Sequence, residues 1–270
     1  MSGRLLLTCL WLGALATASG ILEVDLVFPQ NTTYTPTEWF PVVFGFQSPS
    51  LAPLVDLDIS FSIKNRDNAS DIIHWPTDLR WTNETTSEDP YLFYAFFSRF
   101  RAPGRWDLTW HVHYKACNEF ALGEDDRAEM VTNSTGRSML FTIADDGDAD
   151  AEGVDLVAAT SEDSCPGAFG VPINVTDQTI RVPAGEDWAN GNMCAVVASS
   201  SAPTPDPCRV DISKEVVESM EAEWRARLCR GANPPEDCPA EGENAAAQGV
   251  VVMAGSVVLA AVGAAGFILR

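Results

Sequence analysis

The sequence predicts a mainly β protein: an antiparallel immunoglobulin-like β-sandwich, followed by a smaller disulfide-stapled region with one C-terminal helix. Three observations carry this. Apolar residues alternate with polar ones at period two through residues 21–144. Cysteines gather in the second half of the chain. One stretch, Ile212 to Leu228, repeats apolar residues every four positions.

The strands come in order. Leu22, Val24, Leu26 and Phe28 alternate with Glu23, Asp25 and Val27. Phe40, Val42, Phe44 and Phe46 form a second apolar face, and Val55 to Ile63 a third. Trp106, Leu108, Trp110, Val112 and Tyr114 stand opposite Arg105, Asp107, Thr109, His111 and His113. Period two sends one set of side chains to a core and the other to water. Tyr91 to Phe97 is apolar on both faces, which predicts a central strand. Met139, Phe141 and Ile143 close the set. Such a series with turn residues between its members fits a sandwich of antiparallel strands.

Asp145 to Asp155 is an acidic break and reads as a linker. Asp146, Asp148 and Asp150 have the alternate spacing of a calcium loop, but Ala151 and Val157 stand where its turn Gly and closing Glu belong. The cysteine-containing extension, 145–230, then offers short strands at Thr179–Val182 and Met193–Ala198. Its helix follows, with Ile212, Val216, Met220, Trp224 and Leu228 in one stripe and Asp211 or Ser213 as cap. Residues 231–248 are rich in Pro, Glu and Gly and read as a stalk.

Both ends read as addresses. Arg4, the apolar run Leu5–Ala16 and the small-residue pattern Ala16-Thr17-Ala18 make residues 1–20 a secretory signal peptide. Val250–Leu269 carries no charge over a length that spans a bilayer core of ~30 Å as a helix, within a hydrophobic tail of 249–270. It is either a transmembrane helix or the removable part of a glycolipid-anchor (GPI) signal. The small residues at Asn244-Ala245-Ala246 make Asn244 the expected attachment site, with Gly242 as the alternative. The lone Arg270 behind the tail is little for positive-inside retention, which favours the anchor.

Composition narrows the partners. The net charge is −21, and losing Arg4 and Arg270 with the two ends takes it to −23. Such a surface repels nucleic acid and anionic lipid, so neither is expected as a partner. Of seven cysteines Cys9 leaves with the signal peptide; Cys117, Cys165, Cys194, Cys208, Cys229 and Cys238 remain. In an oxidising compartment they predict three disulfides with fifteen connectivities open. Five sequons, at Asn31, Asn68, Asn83, Asn133 and Asn174, predict N-glycosylation on an extracellular surface or the outer face of the plasma membrane.

No motif marks an enzyme or a bound cofactor. His111 and His113 share a strand face, but a metal needs three or four ligands and the face reads as solvated. The segment His74 to Trp81 places Trp75 and Trp81 beside polar groups, an arrangement that either caps the core or stacks on sugar rings of a cell wall. Paired carboxylates are abundant enough to arise by chance, so a hydrolase is carried only as an alternative.

The run Leu22-Glu23-Val24-Asp25-Leu26-Val27-Phe28-Pro29-Gln30-Asn31-Thr32-Thr33-Tyr34-Thr35-Pro36 resembles the start of a fungal secreted family, domain of unknown function 7136. Phe40 to Gln47 and Ala102 to Trp110 are similar to its later blocks, and the likeness covers residues 21 to 230. The resemblance implies export from a filamentous fungus and a hydrophobic tail. It brings no catalytic residue with it. The reading that results is a non-enzymatic structural or adhesive glycoprotein of the cell surface or wall, with a carbohydrate-binding module as alternative.

Overall fold

The computed structural model describes residues 20–77, 88–118, 130–145, 147–161, 164, 169–182, 185–186, 188, 192–198, 203–231, 233–236 and 238. The chain divides into two compact units, Met1–Met220 and Glu221–Arg270. The first unit is mainly β. Its strands are β1 (Gly20–Phe28), β2 (Thr33–Tyr34), β3 (Phe40–Gln47), β4 (Asp58–Asn65), β5 (Ile72–Thr77), β6 (Tyr91–Phe97), β7 (Gly104–Cys117), β8 (Met130–Ile143), β9 (Gly170–Arg181) and β10 (Met193–Val197). A short α1 (Leu156–Ala159) precedes β9 and a longer α2 (Lys214–Cys229) follows β10.

The strands form two ladders that meet at one junction. In the first, β10, β9, β1, β3 and β6 are neighbours in that order. In the second, β8 lies along the whole of β7, and β4 pairs the other edge of β7 from Trp106 to His113. β5 then flanks β4, and β2 flanks β8. At its end β7 crosses over: Cys117 pairs Val196 of β10, and the Cys117–Cys194 disulfide pins that crossing.

The expectation of a purely antiparallel sheet is therefore corrected. The β7–β10 and β2–β8 pairings are parallel, and the sheet is mixed. The two contacts are short, one and two residue pairs long, so they join ladders that are otherwise antiparallel.

Aromatic side chains fill the space between the ladders. Phe44 of β3 lies 5.5 Å from Phe61 of β4 and 5.4 Å from Trp110 of β7, ring centre to ring centre. Phe40 stacks on Phe141 of β8 at 5.3 Å and 8°. Offset and edge-on rings at these separations add attraction beyond area burial. The alternation read in β4 and β7 matches their burial: Ile59, Phe61, Ile63, Trp106, Leu108, Trp110 and Val112 are all inside.

Two readings of individual strands change. β6 pairs only β3 among the described residues, so Tyr91–Phe97 ends its ladder and is not central. Its apolar residues serve as packing partners: Phe93 and Phe97 join the rings between the ladders, while Phe96 and Tyr94 contact each other. β1 departs further. Glu23 and Asp25, which alternation sends to water, are buried along with every residue from Leu22 to Phe28.

The cover over that second face comes from late in the chain. Val210 and Ile212 are fully buried, and Leu156 and Met220 join the same core as β1 and β3. A Cβ on Gly45 of β3 would stand only 2.8 Å from Val210, so a glycine there lets the covering segment rest on the sheet. α2 begins after Ser213, whose hydroxyl accepts the N–H of Val216. β9, drawn from the region after 145, lies against β1 along Gly20–Asp25 and so belongs to the same ladder. In the second unit Cys229 and Cys238 form a disulfide with Cα atoms 5.5 Å apart. Among the described residues no helix is long and apolar enough to cross a membrane.

The Phe44 ring of β3 meets Phe61 of β4 and Trp110 of β7 and so bridges the two ladders. Phe44→Ala is expected to lower unfolding free energy by about 3–5 kcal/mol in urea denaturation. A loss below about 1 kcal/mol would contradict the packing described.

Candidate functional site

A polar cluster sits where the covering segment crosses β1, β3 and β9. Glu23 is 4 % exposed, Gln47 3 % and Asp25 not at all. Glu23 pairs Gln47 across the β1–β3 ladder, and Asp25 pairs Gly170 across β1–β9. The three side chains therefore leave the same face of the sheet as near neighbours.

Above them runs an irregular strap, residues 203–212. Its Asp206 N–H donates to Glu23 Oε1 at 2.6 Å. Gln47 Nε2 donates both to the Asp206 carbonyl at 2.8 Å and to Asp25 Oδ2 at 2.8 Å. Two side chains of the sheet thus satisfy both main-chain groups of one strap residue, as a neighbouring strand would. Ile212 N–H donates to Thr160 Oγ1 at 3.0 Å and ties the far end of the strap to the residue after α1.

Gly170 makes room for the cluster. A Cβ there would stand 2.9 Å from Glu23 Oε1 and 2.8 Å from Pro205, and would run into Asp25 Oδ1. A contact under 3 Å forces a rigid buried neighbour to shift. Asp25 Oδ1 accepts no hydrogen bond among the described residues. Burial pushes the Asp25 carboxyl up to about 8; the Gln47 donor opposes this, while Glu23 and Asp206 reinforce it. Every charged group acting on Asp25 is thus an acid. Burial and the neighbouring acids therefore favour a proton on Asp25.

A second feature is an open groove of about 400 Å³ lined by Thr33, Asp67, Arg105, Thr142, Asp145 and Asp148, among others. Arg105 already grips Asp67 there, Nη2 to Oδ1 at 2.6 Å and backbone N to Oδ2 at 3.1 Å. The guanidinium holds the Asp67 carboxyl below the usual range.

The sequence-predicted sites are scattered over the surface. Asn31 and Asn68 are exposed. Asn68 sits in the β4–β5 turn, where its Oδ1 accepts Ser70 N–H at 3.3 Å and Ser70 Oγ–H at 2.7 Å, leaving Nδ2 free of that turn. Asn133 on β8 and Asn174 on β9 are half-buried. Cys208 is disulfide-bonded, in addition to the two pairings above. Asn83, Trp81, Asp146, Cys165, Asn244, residues 1–19 of the signal peptide and the hydrophobic tail lie outside the described residues.

Trp75 on β5 is 38 % exposed. Its ring lies 6.4 Å from Phe61 at 20° and meets Phe97 edge-on at 5.6 Å. The residue therefore caps one edge of the core while showing part of its face. His111 and His113 lie nearly parallel, 5.9 Å apart, and His113 Nε2 is 3.3 Å from Ser60 Oγ. Among the described residues no three His, Cys, Asp or Glu side chains converge as a metal site requires. In the acidic break, Asp150 N–H donates to Asp148 Oδ1, and Glu152 trades backbone hydrogen bonds with Thr33 and Thr35. That segment is tied to β2.

Sequence reading missed the cluster because Glu23 and Asp25 look solvated in a period-two pattern. The available signal was the rest of their face. Val27 continues it on β1, and Val43 and Gly45 continue it on β3, which is an unusual lining for a wet surface.

Gln47→Leu would leave Asp25 Oδ2 buried without its donor. It is expected to cost about 1–3 kcal/mol of stability. Gly170→Ala should cost at least as much through the carboxyl clash, both read as midpoint shifts in urea. An unchanged midpoint for either variant would contradict the cluster geometry.

No curated protein and no solved structure matches the chain. Residues 17–238 match the family model described as Domain of unknown function (DUF7136), a span that takes in β1 to β10 of the described residues, the strap and α2, and the chain belongs to that family.

Proposed function

We propose that this member of the family is an exported glycoprotein of the fungal cell surface or wall, with a structural or adhesive role and no catalytic activity. Its two ladders, facing each other through Phe40, Phe44, Phe61, Trp110 and Phe141, are read as an immunoglobulin-like sandwich. Residues 1–20 direct export, and the tail leaves the protein on the membrane, by a lipid at Asn244 or as a helix.

One observation carries the reading. A disulfide closes the β7–β10 crossing while the Asn68 sequon stands exposed at the tip of a turn. Disulfides and N-glycans share one compartment, the secretory pathway. The role of the acids supports the non-enzymatic part. A carboxylate hydrolase needs two acids about 5–10 Å apart facing its substrate. Glu23 and Asp25 are instead committed to holding the strap.

The half-exposed face of Trp75 favours a second reading, a carbohydrate-binding module. A partly exposed indole braced from beneath by Phe61 is a stacking surface that costs little to order.

Expression in a secreting host separates these readings. The protein should carry glycans at Asn31, Asn68, Asn83, Asn133 and Asn174, show no free thiol, and leave intact cells on phospholipase C treatment. Recovery from cytosol with bare asparagines and free thiols would overturn the export reading. Retention after phospholipase would assign the tail to a transmembrane helix. A glycan array then tests the second reading: binding that falls at least tenfold in Trp75→Ala supports it, and silence of the unaltered protein removes it.

A further inference from the structure

We propose that Asp25 keeps a proton facing Glu23, and that this proton keeps the strap closed on the sheet, so that the protein is built for an acidic medium and loosens as the medium turns alkaline. The inference stands on burial and contact and holds whether the protein binds sugars or only supports a wall.

The geometry leaves few ways to satisfy the pair. Asp25 is fully enclosed, with the sheet on one side and the strap on the other. One of its oxygens takes the Gln47 amide; the other takes no donor among the described residues. Glu23 spends Oε1 on the Asp206 N–H. A proton on Asp25 Oδ1 turns the orphaned acceptor into a donor facing an acid, which is the arrangement a carboxyl–carboxylate pair needs.

Each element packed on Asp25 brings the same message. β1 contributes Glu23, the strap contributes Asp206, and both repel a second negative charge. β3 contributes Gln47, whose amide donates but carries no charge. β9 contributes Gly170, whose missing side chain lets the carboxyls meet.

Losing the proton places two anions in a site closed to water. Hydration relieves them, and water reaches the pair only where the strap lifts. The proton's grip, about 8 when folded against 3.8 in an open chain, fixes the sign. Between these values the folded protein holds a proton that the unfolded chain has released. The stabilisation is complete below pH 4 and is lost as pH rises through 8.

The test uses the purified full-length protein. Urea denaturation from pH 4 to pH 9 should show the folded-to-unfolded ratio falling by up to about tenfold per pH unit between pH 5 and 8. Asp25→Asn supplies a permanent donor toward Glu23 and keeps an acceptor for Gln47. Glu23→Gln supplies a donor to an ionised Asp25. Both variants should flatten the pH dependence over that window. Carboxyl carbon NMR of the unaltered protein provides a readout that needs no variant: one aspartate should titrate near pH 8. A profile unchanged by either substitution, or every aspartate carboxyl titrating below pH 5, would overturn the proposal.

Discussion

β1 and β3 are buried on both faces, and the second face is closed by one strap residue whose two main-chain groups are held by side chains of the sheet. Asp206 donates to Glu23 and accepts from Gln47, and the rest of the cover follows from that registration. With Asp206 fixed, Val210 settles against Gly45 and Ile212 reaches Thr160. Leu156 of α1 and Met220 of α2 share the core of Val27 and Val43, and Gln30 Nε2 donates to the Ala159 carbonyl of α1 at 2.6 Å. A sandwich of two ladders would leave this face wet. Here a third layer lies on it, held by hydrogen bonds at Asp206 and Ala159 and by apolar contact between them.

A polar pin in an apolar interface trades stability for definition. Replacing Glu23, Asp25 and Gln47 by aliphatic side chains of similar volume would remove the cost of burying acids. It would also remove the only directional bonds between strap and sheet among those described, and an apolar contact alone tolerates a shift of register. The Cys117–Cys194 disulfide does comparable work at the C-terminal end of β7 by fixing the parallel crossing to β10. A sparse contact, one residue pair long, is held by a covalent bond where hydrogen bonds are too few.

Much of the fold could be read from the residues. Trp106, Leu108, Trp110 and Val112 alternate with polar neighbours and are buried as that pattern requires. β9 was legible only at its end, Thr179–Val182, because Gly170, Pro172 and Asn174 disguise a strand whose Val171, Ile173 and Val175 face the core. β6 misled in the other direction. Its two apolar faces resemble a central strand, yet its ladder stops there, and the rings pack inward from the edge. The acid pair left only an indirect trace, the apolar Val27 and Val43 on its own face. Alternation reports which side of a strand a residue leaves; it carries no record of a segment some 180 positions later that covers that side. The same limit hides the mixed sheet, since a parallel contact one or two residues long leaves no periodic trace.

Amide hydrogen exchange on the native full chain at acid pH measures the central claim most directly. If Glu23 and Gln47 pin the strap, the N–H groups of Asp206, Val210 and Ile212 exchange as slowly as those of β1, through the same cooperative opening. Exchange of these three amides near the rate of an open loop, while β1 stays protected, would show that the strap lies on the sheet without being fastened to it.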